Sequence, residues 1–254
     1  DFERMKSDAL EVPQYLRQRL GKDRVVLLGH SWGTMIGLPL AAEHPDLYYA
    51  YVGTGQVISV AENERVGYER ALGEARDQQN EAAIEALEAL APYPNPNEGT
   101  TGRRDILRHW QRELGLAVAS GKNFRLQILI AALSSPDYTL RDVSYFLTVP
   151  EKHKLTKLPI LAREIDAFDV RKWGAKYELP IFFVMGRNDW QTPSILAESY
   201  LREEVEAPYK EFIWVEGAGH SVPTSQSDAF LQILVDRVLP VVEVVTEAWP
   251  YDRF

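Results

Sequence analysis

The chain has 254 residues, with 28 Lys and Arg against 37 Asp and Glu and a formal net charge of −9, which argues against a nucleic-acid partner that would need a basic face. It contains no Cys, which excludes disulfides, a Cys nucleophile and thiolate metal sites and fits a reducing, cytoplasmic setting. No apolar run reaches the roughly 18 residues of a membrane span, and the opening DFERMKSDAL is neither an initiator Met nor a signal peptide, so the natural N-terminus is expected upstream.

Residues 8–20 (DALEVPQYLRQRL) have helical spacing. Asp8 and Glu11 are placed like a capping box, Pro13 is expected near the first turn, and Gly21 stops the helix. The apolar run VVLL at 25–28 predicts a strand buried on both faces, as in a parallel sheet. GHSWG follows at 29–33. A helix then runs to Glu43, with a kink expected at Pro39 and an end at His44-Pro45. YYAYVGTGQV (48–57) is β-rich and predicts the next strand. Helical patterns dominate 60–147, in ENERVGYERALGEARDQQ, NEAAIEALEAL, GRRDILRHWQRELGLAV and NFRLQILIAAL, with the loop PYPNPNEG (92–99) between them. Residues 148–178 read as irregular. The strand pattern returns as IFFVM (181–185), followed by GRNDWQTP, a helix over 194–205, the strand EFIWV (211–215), EGAGHS and a helix over 227–238. The tail VVEVVTEAWPYDRF is ambiguous.

Strands alternating with helices indicate an α/β fold with a parallel sheet. The helical block falls between two strands, so it reads as an inserted cap over 60–178. The core is then split into 1–59 and 179–254.

The sharpest chemical feature is G-x-S-x-G at Gly29–Gly33. This pattern exposes a Ser on a tight strand-to-helix turn, and Gly29 and Gly33 are expected to let strand and helix close around it. The backbone N–H of Trp32 is placed to be an oxyanion donor. A Ser nucleophile needs a base and an orienting acid. Of the five His, only His220 follows the last strands, in the glycine-flanked GAGHS loop. Asp189 is the only Asp between IFFVM and His220, although N-D-x-x-P is also turn chemistry. The expected roles are attack by Ser31, proton transfer by His220 and orientation of the imidazole by Asp189. His30 reads as packing beside the Ser, and His109 and His153 as solvated side chains. Trp190 and Tyr138 are candidates to line a substrate pocket, though such aromatics are as often core. No His/carboxylate spacing suggests a metal, and GTG at 53–55 lacks the dinucleotide pattern, so no cofactor is expected.

On these residues the chain resembles the α/β-hydrolase superfamily, in its capped proline iminopeptidase-like branch. The resemblance is carried by LLGHSWGTMIGLPLAAEHPD (27–46), SSPDYTLRD (134–142), MGRNDWQTPSILAESYL (185–201) and VEGAGHS (215–221). It implies a serine peptidase that releases an N-terminal residue, often Pro, with cap carboxylates gripping the free amine. Ser31, Asp189 and His220 match the triad and Trp32 the oxyanion position. There are two departures. The elbow reads GHSWG where many proline-specific members have GGSWG. The family's early strands and HGG-type oxyanion loop have no counterpart here, so the N-terminal strands are expected to be missing from this chain. Either the chain is partial, or the missing part comes from a separate segment or polypeptide.

Three functions compete. The first is an exopeptidase acting on a short peptide. The second is an esterase or amidase using the same triad on a small ester, amide or lactone. The third is a non-catalytic binding protein or inactive fragment. A cap carboxylate facing Ser31 would separate the first two, with Glu62, Glu64, Glu69, Glu74 and Asp142 as candidates.

Overall fold

The computed structural model describes residues 1–95, 103–116, 129–130, 132–148 and 158–248. Helix α1 (Phe2–Leu20) starts six residues before the sequence reading placed it. Asp1 caps it by accepting the N–H of Arg4 at 2.9 Å. Asp8 caps nothing and instead pairs with Arg4 at 2.8 Å. Phe2, Met5 and Ala9 pack on the core, an i, i+3, i+7 stripe that extends the helix upstream. Pro13 therefore lies mid-helix and not in the first turn. Gly21 ends the helix at φ 60°, as expected.

Four parallel strands follow in spatial order β1-β2-β3-β4: β1 (Val25–His30), β2 (Tyr48–Thr54), β3 (Ile181–Gly186) and β4 (Lys210–Val215). Helix α2 (Trp32–Glu43) crosses from β1 to β2. β2 stops at Thr54, short of the expected 57, because Gly55 turns the chain at φ 55°. β3 is buried along its whole length. β1 corrects the expectation of burial on both faces. It is the edge strand, and Val26 and Leu28 are 37% and 43% exposed. An all-apolar run reports affinity for a sheet, not that both faces are covered.

Strand alternation divides the core. Tyr51 and Phe183 face one side, against Met35 and Leu38 of α2. Val52, Phe182 and Val184 face the other side, with Phe230 and Val238. Each buried Phe is worth about 1.5–3 kcal/mol relative to exposure.

Between β2 and β3 the described residues form α3 (Val60–Asp77), α4 (Glu81–Glu88), α5 (Arg103–Glu113), α6 (Leu140–Thr148) and α7 (Pro159–Asp166). The helix α7 and the 3-10 turn Val170–Trp173 replace part of the segment read as irregular. Most of the NFRLQILIAAL pattern and His153 lie outside the described residues. Helices α3, α4 and α5 share their own apolar cluster around Ala71, Leu87 and Leu107. The chain leaves and returns at one place: Val60 N–H donates to Phe168 O at 3.0 Å and Val170 N–H to Ile58 O at 2.8 Å.

After β3 come α8 (Ser194–Ser199), prolonged by a π turn to Glu204, then α9 (Ser227–Ile233). A second π turn, Leu234–Val238, leads into α10 (Leu239–Ala248), which resolves part of the ambiguous tail as helix. No helix among the described residues is long and apolar enough to cross a membrane.

Candidate active site

Ser31 sits between the end of β1 and the start of α2 with φ 52° and ψ −120°. A non-glycine residue held at positive φ costs about 1–3 kcal/mol. The surroundings enforce it. Ser31 N–H donates to Thr54 O at 2.9 Å, and Thr34 Oγ1 donates to Ser31 O at 2.6 Å. Gly29 is required, since a Cβ there would lie 2.9 Å from Tyr51 Oη and 3.1 Å from Thr34 Cα. Gly33 is not, because a Cβ there would meet nothing within 4 Å. The expectation that both glycines make room holds only for Gly29. The Ser31 side chain makes no cap bond to α2, which frees its hydroxyl for the loops above.

Those loops bring Ser31, His220 and Asp189 together. Ser31 Oγ lies 2.7 Å from His220 Nε2, and His220 Nδ1 lies 2.9 Å from Asp189 Oδ2. His220 and Asp189 are both buried. Asp189 is also the turn-former that its sequence context suggested. Its Oδ1 accepts the N–H groups of Gln191 and Thr192, each at 3.0 Å. The turn thereby fixes the carboxylate, and Oδ2 is left for Thr192 Oγ1 at 2.7 Å and for His220. Burial works against ionising Asp189. The His220 charge and the bonds from His220 and Thr192 outweigh it and hold the carboxyl below its ordinary range.

Two residues here were missed by sequence reasoning. Thr192 bonds Asp189 and approaches His220 Nδ1 at 3.2 Å. Its signal was the Thr of GRNDWQTP. Gly55 lies against the imidazole: a Cβ at this position, at φ 55°, would sit 2.9 Å from His220 Cε1. The GTG that failed as a dinucleotide motif thus seats His220.

Trp32 opens α2, so its N–H is among those with no acceptor inside the helix. Trp190 follows Asp189 and packs on the helix cluster of α3, α4 and α5, with the Arg70 guanidinium 5.4 Å above its ring. Tyr138 is 59% exposed, and no hydrogen bond or ring contact joins it to Ser31, Asp189 or His220. The His30 ring lies 5.2 Å from that of His220. Burial and the neighbouring His220 lower its pKa, against the opposing pull of a bond to Thr54 and of Asp189. His109 is solvated on α5. Among the described residues no group of His, Asp and Glu could hold a metal ion.

The five carboxylates proposed to grip an amine all have partners. Glu62 pairs with Arg171 at 3.3 Å, Glu69 with Arg65 at 2.9 Å and Glu74 with Arg70 at 2.5 Å. Asp142 accepts from the Thr139 hydroxyl at 2.6 Å. Glu64 is buried between Arg104, Arg108 and the Tyr93 hydroxyl.

A family model described as alpha/beta hydrolase fold matches residues 5–223. A probable aminopeptidase, YbaC of Bacillus subtilis (strain 168), is 24% identical over 234 residues, covering 89% of this chain and 69% of that protein. The solved esterase EaEST from Exiguobacterium antarcticum superposes with a TM-score of 0.55 at 18% identity, over 94% of this chain and 74% of that one. A proline iminopeptidase from Mycobacterium smegmatis gives 0.51 at 15% identity, over 91% and 70%.

Proposed function

The chain belongs to the α/β-hydrolase fold family and is a hydrolase; from that premise we propose that it works by Ser-His-Asp acyl transfer through Ser31, His220 and Asp189. The supporting observation is the run of contacts from Ser31 Oγ to His220 Nε2 and from His220 Nδ1 to Asp189, beneath a Ser at positive φ. Ser31 Oγ attacks a carbonyl carbon as His220 Nε2 takes its proton. The Asp189 carboxylate stabilises the imidazolium and fixes Nδ1 as the protonated nitrogen. The Trp32 N–H stabilises the oxyanion. His220 then protonates the leaving group, and water releases the acyl group by the same steps reversed.

Each of two substrate readings has support. The likeness to the probable aminopeptidase over 89% of this chain supports an exopeptidase that releases an N-terminal residue, with residues 60–178 as its cap. The partnered state of all five nominated carboxylates favours an uncharged small ester, amide or lactone, because an amine would have to displace an arginine from most of them. We take the exopeptidase first. Proline p-nitroanilide is compared with its N-acetylated form. A strong preference for the free amine supports the exopeptidase. Equal rates, or turnover of short acyl esters alone, overturn it in favour of the second reading.

We also propose that the free edge of β1 pairs with further strands, from the same polypeptide or a separate one, that carry a second oxyanion donor. The exposed Val26 and Leu28 support this, as does the 69% of the aminopeptidase's length that the chain covers. Loss of one oxyanion donor costs roughly 10²–10³ in kcat. An N-terminally extended chain should therefore be faster by that order, and equal rates would contradict the idea.

A further inference from the structure

The inserted helices reach the acid of the proposed triad through a partly buried line of polar contacts. The two peptide groups that follow Asp189 are each held. Trp190 N–H donates to Leu116 O at 3.0 Å, and Trp190 O accepts from Gln111 Nε2 at 2.8 Å. Gln111, on α5, is wholly buried. Its Oε1 accepts from Arg108 Nη1 at 2.8 Å, and Arg108 Nη2 donates to Glu64. Glu64, on α3, also accepts from the Tyr93 hydroxyl and lies 3.1 Å from Arg104, which reaches Asp166 of α7 at 2.9 Å. The junction has no spare room. A Cβ at Gly67 of α3 would lie 2.7 Å from Gln111 Nε2 and 2.8 Å from Trp190 O.

A buried carboxylate with two guanidiniums is a costly way to hold helices together. An apolar cluster of similar volume does so as well or better. What ionic groups add is a fixed orientation of donors and acceptors, and this set ends on the Trp190–Gln191 peptide group, whose N–H donates to Asp189 Oδ1 at 3.0 Å. We propose that Gln111 is a positioning residue for Asp189, with the Glu64–Arg108 pair setting the rotamer of its amide. Gln111 is hydrogen-bonded to Arg108 and to the Trp190 carbonyl, and not to Ser31, His220 or the Asp189 carboxylate. It acts through the Trp190 carbonyl, which holds the turn from which Asp189 meets His220. The proposal rests on the acyl-transfer reading given above. It predicts that catalysis depends on a residue of the inserted helices even for substrates too small to touch them.

The test is Gln111→Leu, which keeps the volume and removes the donor. Gln111→Glu serves as a second variant if the first fails to fold, and Arg65→Ala on the exposed face of α3 is the control. With p-nitrophenyl acetate, Gln111→Leu should lower kcat by about tenfold, the worth of one well-aligned hydrogen bond, and change KM by less than about twofold. The acid limb of its kcat/KM profile should shift to lower pH, because a displaced carboxylate supports the imidazolium less. The far-downfield proton resonance of His220 Nδ1–H should move or broaden. Arg65→Ala should match the parent in each respect. A lowered Tm with unchanged kcat, pH profile and resonance would show that Gln111 only packs, and would overturn the proposal. Should the parent hydrolyse nothing, the acyl-transfer reading falls. The resonance still decides on Gln111: a change in the variant supports positioning, and no change refutes it.

Discussion

The two parts of this molecule solve different problems with different chemistry. The sheet holds its loops by backbone constraint. Ser31 is forced to positive φ, Gly29 and Gly55 are crowded by Tyr51 and His220, and the carboxylate of Asp189 is oriented by its own turn. The inserted helices use charge instead. Glu64 is buried with Arg104 and Arg108, and Glu62, Glu69 and Glu74 pair along their surfaces. Backbone constraint is local and tolerates little change. Ion pairs on exposed helix faces are worth about 0–1 kcal/mol each, so those faces can vary freely. The difference teaches where substitutions should be felt, steeply around the β-strand ends and weakly on the helices, except where the helices meet Trp190.

The largest effect should come from the proposed nucleophile. Ser31→Ala should lower kcat by about 10⁴ or more while leaving the circular dichroism spectrum intact, and steady-state assays against the parent check it. Asp189→Asn should cost somewhat less, about 10³–10⁴, because His220 is then held in the wrong tautomer. A loss under tenfold would mean that the acid lies elsewhere. Gly55→Ala tests backbone constraint most directly. Its Cβ would strain φ and press on the His220 ring, so both kcat and Tm should fall, by about 1–2 kcal/mol in stability. By contrast, Glu69→Ala on α3 should change stability by less than about 0.5 kcal/mol in a denaturant titration, and a larger loss would erase the contrast between the two parts.

The smallest effect concerns pH. His30 resists protonation in the folded state while the unfolded chain takes up its proton near 6.5. Stability should therefore decline as pH falls below 6.5, since the unfolded state then binds more protons. Asp189 has the same sign at lower pH, because its stabilising ionised form is lost only when pH falls through its depressed folded value. His30→Gln should flatten the upper part of this slope in urea melts taken at successive pH values.

Much of the sheet and its loops was legible in the sequence because short-range patterns determine them. VVLL-GHSWG, IFFVM-GRND and EFIWV-EGAGH each join an apolar run to a turn, and chain order alone paired Ser31 with Asp189 and His220. The misreadings came from non-local causes. β1 reads as buried, but exposure of Val26 and Leu28 depends on what lies beside the strand. Asp8 reads as a cap, but packing of Phe2 and Met5 on the core extends α1 past it. The roles of Gly55 and Gln111 depend on contacts across 165 and 79 positions of chain, which no local pattern encodes. The charge on α3 was visible, but its pairing was not.

The central claim is tested most directly by treating the chain with a fluorophosphonate probe and locating the adduct by peptide mass spectrometry. The account predicts one stoichiometric adduct on Ser31, absent in Ser31→Ala and strongly slowed in His220→Ala. A folded parent that remains unlabelled, or an adduct on another residue, would contradict it.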